Sequence, residues 1–179
     1  MKKIISLLLV TFSMYNANAQ FTNAELTASG LTCSMCSKAI YKALIQVPFV
    51  EKVTANVKES SYSIVFKEGT VVSFDDLKKS VEGAGFFVAK LSVTANFNNT
   101  AIKNDAHVLL GNTNLHFLNV ADKTLDGSVS ISIIDKGFVD NKTWKQYSKS
   151  TTMKCFETGT MQSCCSKGGT GQRIYHVTI

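Results

Sequence analysis

Cys33 and Cys36 stand at i and i+3 in the stretch "SGLTCSMCSKAI", Ser29 to Ile40, behind a glycine and in front of a helical apolar pattern. A loop entering a helix can turn two side chains at this spacing toward a common point. Thiolate is a soft ligand suited to Cu(I), Hg(II) or Zn(II) rather than to magnesium or calcium. The unpaired N–H groups and dipole of a helix start favour the anion, and can draw a thiol from about 8.5 toward roughly 3.5–7.5. Two protein ligands leave a tetrahedral structural zinc site incomplete, so a low-coordinate, exchangeable ion is the better match. Two other chemistries share the spacing: a thiol–disulfide exchange pair, and a pair of inert core thiols. The redox reading expects a thioredoxin-like order of elements with a cis-proline opposite the cysteines. The only proline here is Pro48, just past the helix.

A second cluster lies in "MKCFETGTMQSCCSKGG", Met153 to Gly169, where Cys155, Cys164 and Cys165 accompany Met153 and Met161. All five are soft sulfur donors, and the glycine-rich flank can bend around an ion. The alternative is a disulfide between Cys155 and one of the adjacent pair, fastening a loop; spacing alone does not choose. Five cysteines cannot all pair within one chain. His107, His116 and His176 fall in or beside strand-like runs, where an isolated histidine is expected to be a packed or surface residue rather than a ligand. Trp144 and Tyr147 read as core. No Ser/His/Asp set, paired acids or phosphate loop stands out, so hydrolytic chemistry has no support and the chain reads as a non-enzyme.

The elements that must position the first pair follow from periodicity. Leu26 and Ala28 alternate with polar neighbours as a first strand. Ile40, Ala43, Leu44 and Val47 recur at helical spacing up to Pro48. Val53, Ala55 and Val57, then Tyr62, Ile64 and Phe66, alternate as two strands of a hairpin around Lys58–Ser61. Ser73 can cap a second helix, with Asp75 and Asp76 at its positive end and Phe74, Leu77, Val81 and Ala84 on its buried face. Gly83 and Gly85 end it, and Phe87, Ala89, Leu91 and Val93 form a last strand. The order is β-α-β-β-α-β, the ferredoxin-like arrangement.

"NFNNT", Asn96 to Thr100, is polar and turn-rich, and is expected to separate a domain at 22–94 from a second at 101–179. In the second half Leu115 and Phe117 suggest one strand, "GSVSISII" a half-buried strand, Asn141–Lys149 a short helix capped by Asn141, and Arg173–Ile179 a final strand. The expected fold class is α+β: a ferredoxin-like domain followed by a small β-rich domain, with a partly open barrel as one form open to it.

Gly30-Leu31-Thr32-Cys33-Ser34-Met35-Cys36, set between a first strand and a first helix, resembles the motif of the heavy-metal-associated domain of copper chaperones, copper-transporting ATPases and periplasmic mercury-binding proteins. The resemblance covers Glu25 to about Val93. It implies that Cys33 and Cys36 are metal ligands, for Cu(I) first and Hg(II) or Zn(II) next, and that a metal-transporting ATPase or other metal-accepting protein is a partner. Leu31 departs from the pattern, which has methionine before the Thr-Cys pair; leucine preserves the packing beneath the loop. Phe86 falls where the family places an aromatic or a lysine near the metal.

Residues 1–19 carry Lys2 and Lys3, the apolar run Ile4–Val10 and the small-residue pattern Ala17-Asn18-Ala19, the layout of a cleavable secretory signal whose apolar core is too short to span a bilayer. Its removal would lower the formal charge from +6 to +4, the loss of two lysines. That surplus is spread along the chain without a basic stripe, so nucleic acid is a poor partner. The expected protein is periplasmic or secreted, with no transmembrane anchor after cleavage. It is a Cu(I) carrier or buffer, with a mercury-binding protein of the same design or a thiol–disulfide oxidoreductase as alternatives.

Overall fold

The computed structural model describes residues 20–31, 34–163, 165 and 170–179. The expected leader, Cys33 and Cys164 therefore lie outside the described residues. β1 (Phe21–Ser29) sends Ala24, Leu26 and Ala28 into the core at the expected period of two. α1 (Ser34–Ile45) lays Ile40 and Leu44 against the sheet, both fully buried. The hydroxyl of Tyr62 ties this helix to its floor, 3.1 Å from Ser37 Oγ. In β3 (Ser61–Phe66), Tyr62, Ile64 and Phe66 are buried as the alternation predicts. β2 (Val50–Asn56) differs: only Val50 and Val53 are buried, and Val57 is 55% exposed. β2 is the outermost strand, and its residues beyond Val53 are exposed.

α2 (Phe74–Gly83) starts at Ser73, whose Oγ accepts the N–H of Asp76 at 3.2 Å. Phe74, Leu77 and Val81 are fully buried; each such side chain contributes roughly 1.5–3 kcal/mol over exposure. β4 (Phe87–Ile102) follows and completes the ferredoxin-like β1-α1-β2-β3-α2-β4.

β4 departs from expectation at two bulges. Ala89 is the extra residue between the pairs Thr27–Lys90 and Ala28–Val88. Val88 therefore joins Leu91 and Val93 inside, while Phe87 is 67% exposed. The polar run Asn96–Thr100 is strand, not turn: the register on its partner shifts between Phe97 and Thr100, and Asn99 takes a left-handed φ of +43°. Asparagine tolerates that conformation, so the turn-like composition marks a bulge.

The second half adds β5 (Ala106–Leu110), β6 (Thr113–Phe117), β7 (Lys123–Ile133), α3 (Asn141–Tyr147), α4 (Cys155–Thr158) and β8 (Ile174–Thr178). β5 was not expected. It forms a hairpin with β6 through Gly111–Asn112, with Gly111 at φ +57° as a two-residue turn requires. α3 is capped by Asp140 rather than Asn141, its Oδ1 accepting the N–H groups of Lys142 and Thr143. Among the described residues all eight strands form one sheet, β2-β3-β1-β4-β7-β8-β6-β5, which does not close into a barrel. The fold class is α+β, a ferredoxin-like unit followed by a β-rich region.

The two faces of this sheet carry different layers. Phe74 of α2 packs between Phe21, edge to face, and Tyr175, at centroid distances of 5.1 and 4.7 Å, so α1 and α2 cover the face to which Tyr175 points. The next residue, His176, points the other way and meets Phe156 of α4 at 5.0 Å. The α3–α4 segment covers that second face.

Candidate metal centres

At the start of α1 the chain leaves β1 through Gly30, whose φ of +88° favours glycine. A Cβ built there would stand 3.8 Å from Cδ1 of Phe86, so the loop before α1 and the loop after α2 lie side by side. Leu31 and Phe86 are both partly buried against the core, as packing residues beneath and beside the loop. Cys36 sits in the first turn of α1 and is half-buried, beside a Met35 that is 72% exposed. A thiol there stands at the start of a helix and borders solvent.

The family profile of the heavy-metal-associated domain matches residues 25–87, from β1 to the first residue of β4. Residues 25–87 are a heavy-metal-associated domain. Among solved structures, the chain is similar to the copper-binding domain from HMA7, a P-type ATPase, at 29% identity, covering 36% of this chain and 86% of that one with a TM-score of 0.34. It is similar to oxidized MerP from Ralstonia metallidurans CH34 at 26% identity, covering 38% and 94%, with a TM-score of 0.36. It is also similar to the CopZ metallochaperone at 22% identity, covering 38% and 100%, with a TM-score of 0.35. No match was found among curated proteins. The region beyond the heavy-metal-associated domain is assigned by none of these.

That region holds a group which the reading of isolated histidines missed. His107 pairs directly with His116 across β5 and β6, and His116 with His176 across β6 and β8. Strand register thus sets three imidazoles side by side, with ring centroids 4.4 and 5.0 Å apart. Cys155, at the start of α4, lies over the row: its Sγ is 3.6 Å from His116 Nδ1 and 3.9 Å from His107 Nε2. One donor atom from each of His107, His116 and Cys155 lies within 4.8 Å of the others.

Carboxylates behind the rings fix their orientation. Asp105 Oδ1 accepts from His116 Nε2 at 2.9 Å, which leaves Nδ1 as the lone pair facing the sulfur. Asp135 Oδ1 accepts from His176 Nδ1 at 2.5 Å, and Asp135 Oδ2 accepts from Arg173 Nη2 at 2.8 Å. His176 Nε2 is buried and has no hydrogen-bond partner among the described residues. Burial holds His116 well down, to about 4, with the neighbouring His176 and His107 adding to the effect and Asp105 opposing it. Burial also lowers His107. Both rings are neutral near neutrality, the state that can bind an ion.

The predicted sulfur donors are partly brought together. Cys155, Cys165 and Met161 are buried in one cluster with Ile174, and Met153 packs on its edge. The backbone N–H of Gln162 points to Cys165 Sγ at 3.4 Å. Of the two partners expected for Cys155 in a disulfide, Cys164 lies outside the described residues and Cys165 shares the buried cluster of Cys155. Trp144, expected in the core, is only partly buried, stacked on Phe156 at 5.4 Å.

Proposed function

We propose that this chain is an exported carrier or buffer for Cu(I), which it holds between Cys33 and Cys36 and passes on by ligand exchange. One observation carries the reading: the heavy-metal-associated domain at residues 25–87 contains a C-x-x-C pair where β1 gives way to α1. Two thiolates at a partly open helix start suit a soft ion of low coordination number. An incoming thiolate can replace one cysteine at a time, so a metal-accepting protein such as a transporting ATPase fits as the recipient. Phe86, beside Gly30, shields one side of the loop without adding charge. The layout of residues 1–19 supports export to the periplasm or beyond, where metal loading or a reductase must keep the pair from oxidising.

The test is an anaerobic titration of the reduced mature chain with Cu(I), Hg(II) and Zn(II) against competing chelators. The wild type should bind Cu(I) at a solvent-accessible thiolate site that Cys33→Ser/Cys36→Ser removes. Tight binding that persists there in the double variant would sink the assignment. A decisive preference for Hg(II) would move the chain to mercury binding, and turnover of a protein disulfide by the metal-free chain would make it an oxidoreductase.

A further inference from the structure

We propose that His107, His116 and Cys155 form a second, buried metal site, which takes Cu(I) as a three-coordinate complex on the sheet face opposite α1 and α2. For a first-row ion with metal–nitrogen bonds of about 2.0–2.1 Å and a metal–sulfur bond of about 2.3 Å, nitrogen and sulfur donors stand about 3.6–3.8 Å apart at tetrahedral to trigonal angles. The observed separations of 3.6 and 3.9 Å match within a small closure. The third edge, between the two imidazole nitrogens, is within 4.8 Å, and an ion closes it by drawing the half-buried His107 of the edge strand toward His116.

The ring orientation is already set for binding. Asp105 holds the proton of His116 on Nε2, so Nδ1 offers its lone pair toward Cys155; a carboxylate behind a ligating histidine is the usual support of a metal site. Asp135 does the same for His176, the next ring in the row, whose buried Nε2 has no hydrogen-bond partner among the described residues. A cation nearby stabilises the lone pair of that nitrogen.

The donor set selects the ion. Two imidazoles and a thiolate suit copper or zinc, and Cys155 belongs to a buried cluster with Met161 and Cys165, against which Met153 packs. Doubly charged zinc completes a tetrahedron with a fourth ligand, whereas the softer, singly charged Cu(I) is satisfied by three. Cu(I), one thiolate and two neutral imidazoles sum to no net charge, which suits donors of which His116 and Cys155 are fully buried. Binding replaces the Cys155 thiol proton with the ion and releases that proton to solvent; no electron is transferred.

This site does not depend on the first, so it is tested in the full chain carrying Cys33→Ser/Cys36→Ser, reduced and under anaerobic conditions. Titration with Cu(I) against a chelator should give one ion per chain, and X-ray absorption should show two nitrogen neighbours and one sulfur. His107→Gln alters a half-exposed ligand on the edge strand and should keep the fold by circular dichroism. It should weaken binding by more than the about 10–100-fold that loss of a supporting carboxylate costs. Cys155→Ser should abolish the sulfur neighbour. No binding, affinity unchanged by His107→Gln, or a shell of sulfur alone would overturn the proposal, the last by moving the ion to the cysteine–methionine cluster. Stoichiometric Zn(II) that one equivalent of Cu(I) fails to displace would overturn the choice of ion.

Discussion

Asp105 adopts a left-handed backbone, φ +60°, at the entry to β5, and from there its carboxylate reaches His116. Aspartate accepts that conformation at modest cost, and the cost is characteristic of positions that aim a functional group. Asp105→Asn keeps the shape but offers an amide, which can present a donor where the ring needs an acceptor. The variant should weaken Cu(I) at the proposed second site by about tenfold to a hundredfold. Affinity equal to the parent would make Asp105 a local brace only. Cys155 was visible from sequence as a soft donor, but its partners were not. A histidine in an alternating strand declares which face it shares with its neighbours in sequence, not which residue sits across the ladder. Only the pairing of β5 with β6 and of β6 with β8 makes three separate histidines one row.

The elements of the first half were legible because each carried its own signal: alternation in β1 and β3, an apolar stripe in α1 and α2, and a cap at Ser73. Ser73→Ala should cost about 1 kcal/mol, read as a lower urea midpoint at unchanged slope, since the Asp76 N–H then loses its acceptor. A change within error would mean that the fully buried Phe74, Leu77 and Val81 fix the helix start without the cap. Strand faces failed where a bulge intervened. One extra residue in β4 moved Val88 inward and Phe87 outward, and no local pattern announces such an insertion. The hairpin of β5 and β6 did have a cue in Gly111-Asn112 between two runs of apolar alternation.

At the scale of the molecule, one ionic knot ties the β-rich region to α2. Arg173 binds Asp75 through Nε and Nη2, at 2.7 and 3.1 Å, and reaches Asp135, while the Tyr175 hydroxyl lies 3.2 Å from Asp75 Oδ2. Burial pushes the Asp75 carboxyl up, but Arg173, the Tyr175 hydroxyl and the charge of Lys78 together outweigh it and hold the group below its ordinary 3.8. As pH falls below 3.8, the unfolded chain therefore binds the proton first. The stability from ionised Asp75 is complete above that value and is lost as pH drops through the lower native one. The gap in urea midpoint between wild type and Asp75→Asn should be widest near neutrality and close below pH 3.8. A gap that stays constant into acid would show that the carboxylate charge contributes nothing.

β8, the last strand in sequence order, does not lie at the rim of the sheet but between β7 and β6. The hairpin of β5 and β6 therefore has no seat on the rest of the sheet until β8 has been laid down. During folding, or on a ribosome, His107 and His116 can pair early, yet Cys155 and the strand that anchors their hairpin come later in the chain. The cysteine pair before α1 belongs to a unit that is complete much sooner. If both sites bind as proposed, ions would meet the two sets of donors in order of appearance, the pair before α1 first and the enclosed group once β8 lies between β7 and β6.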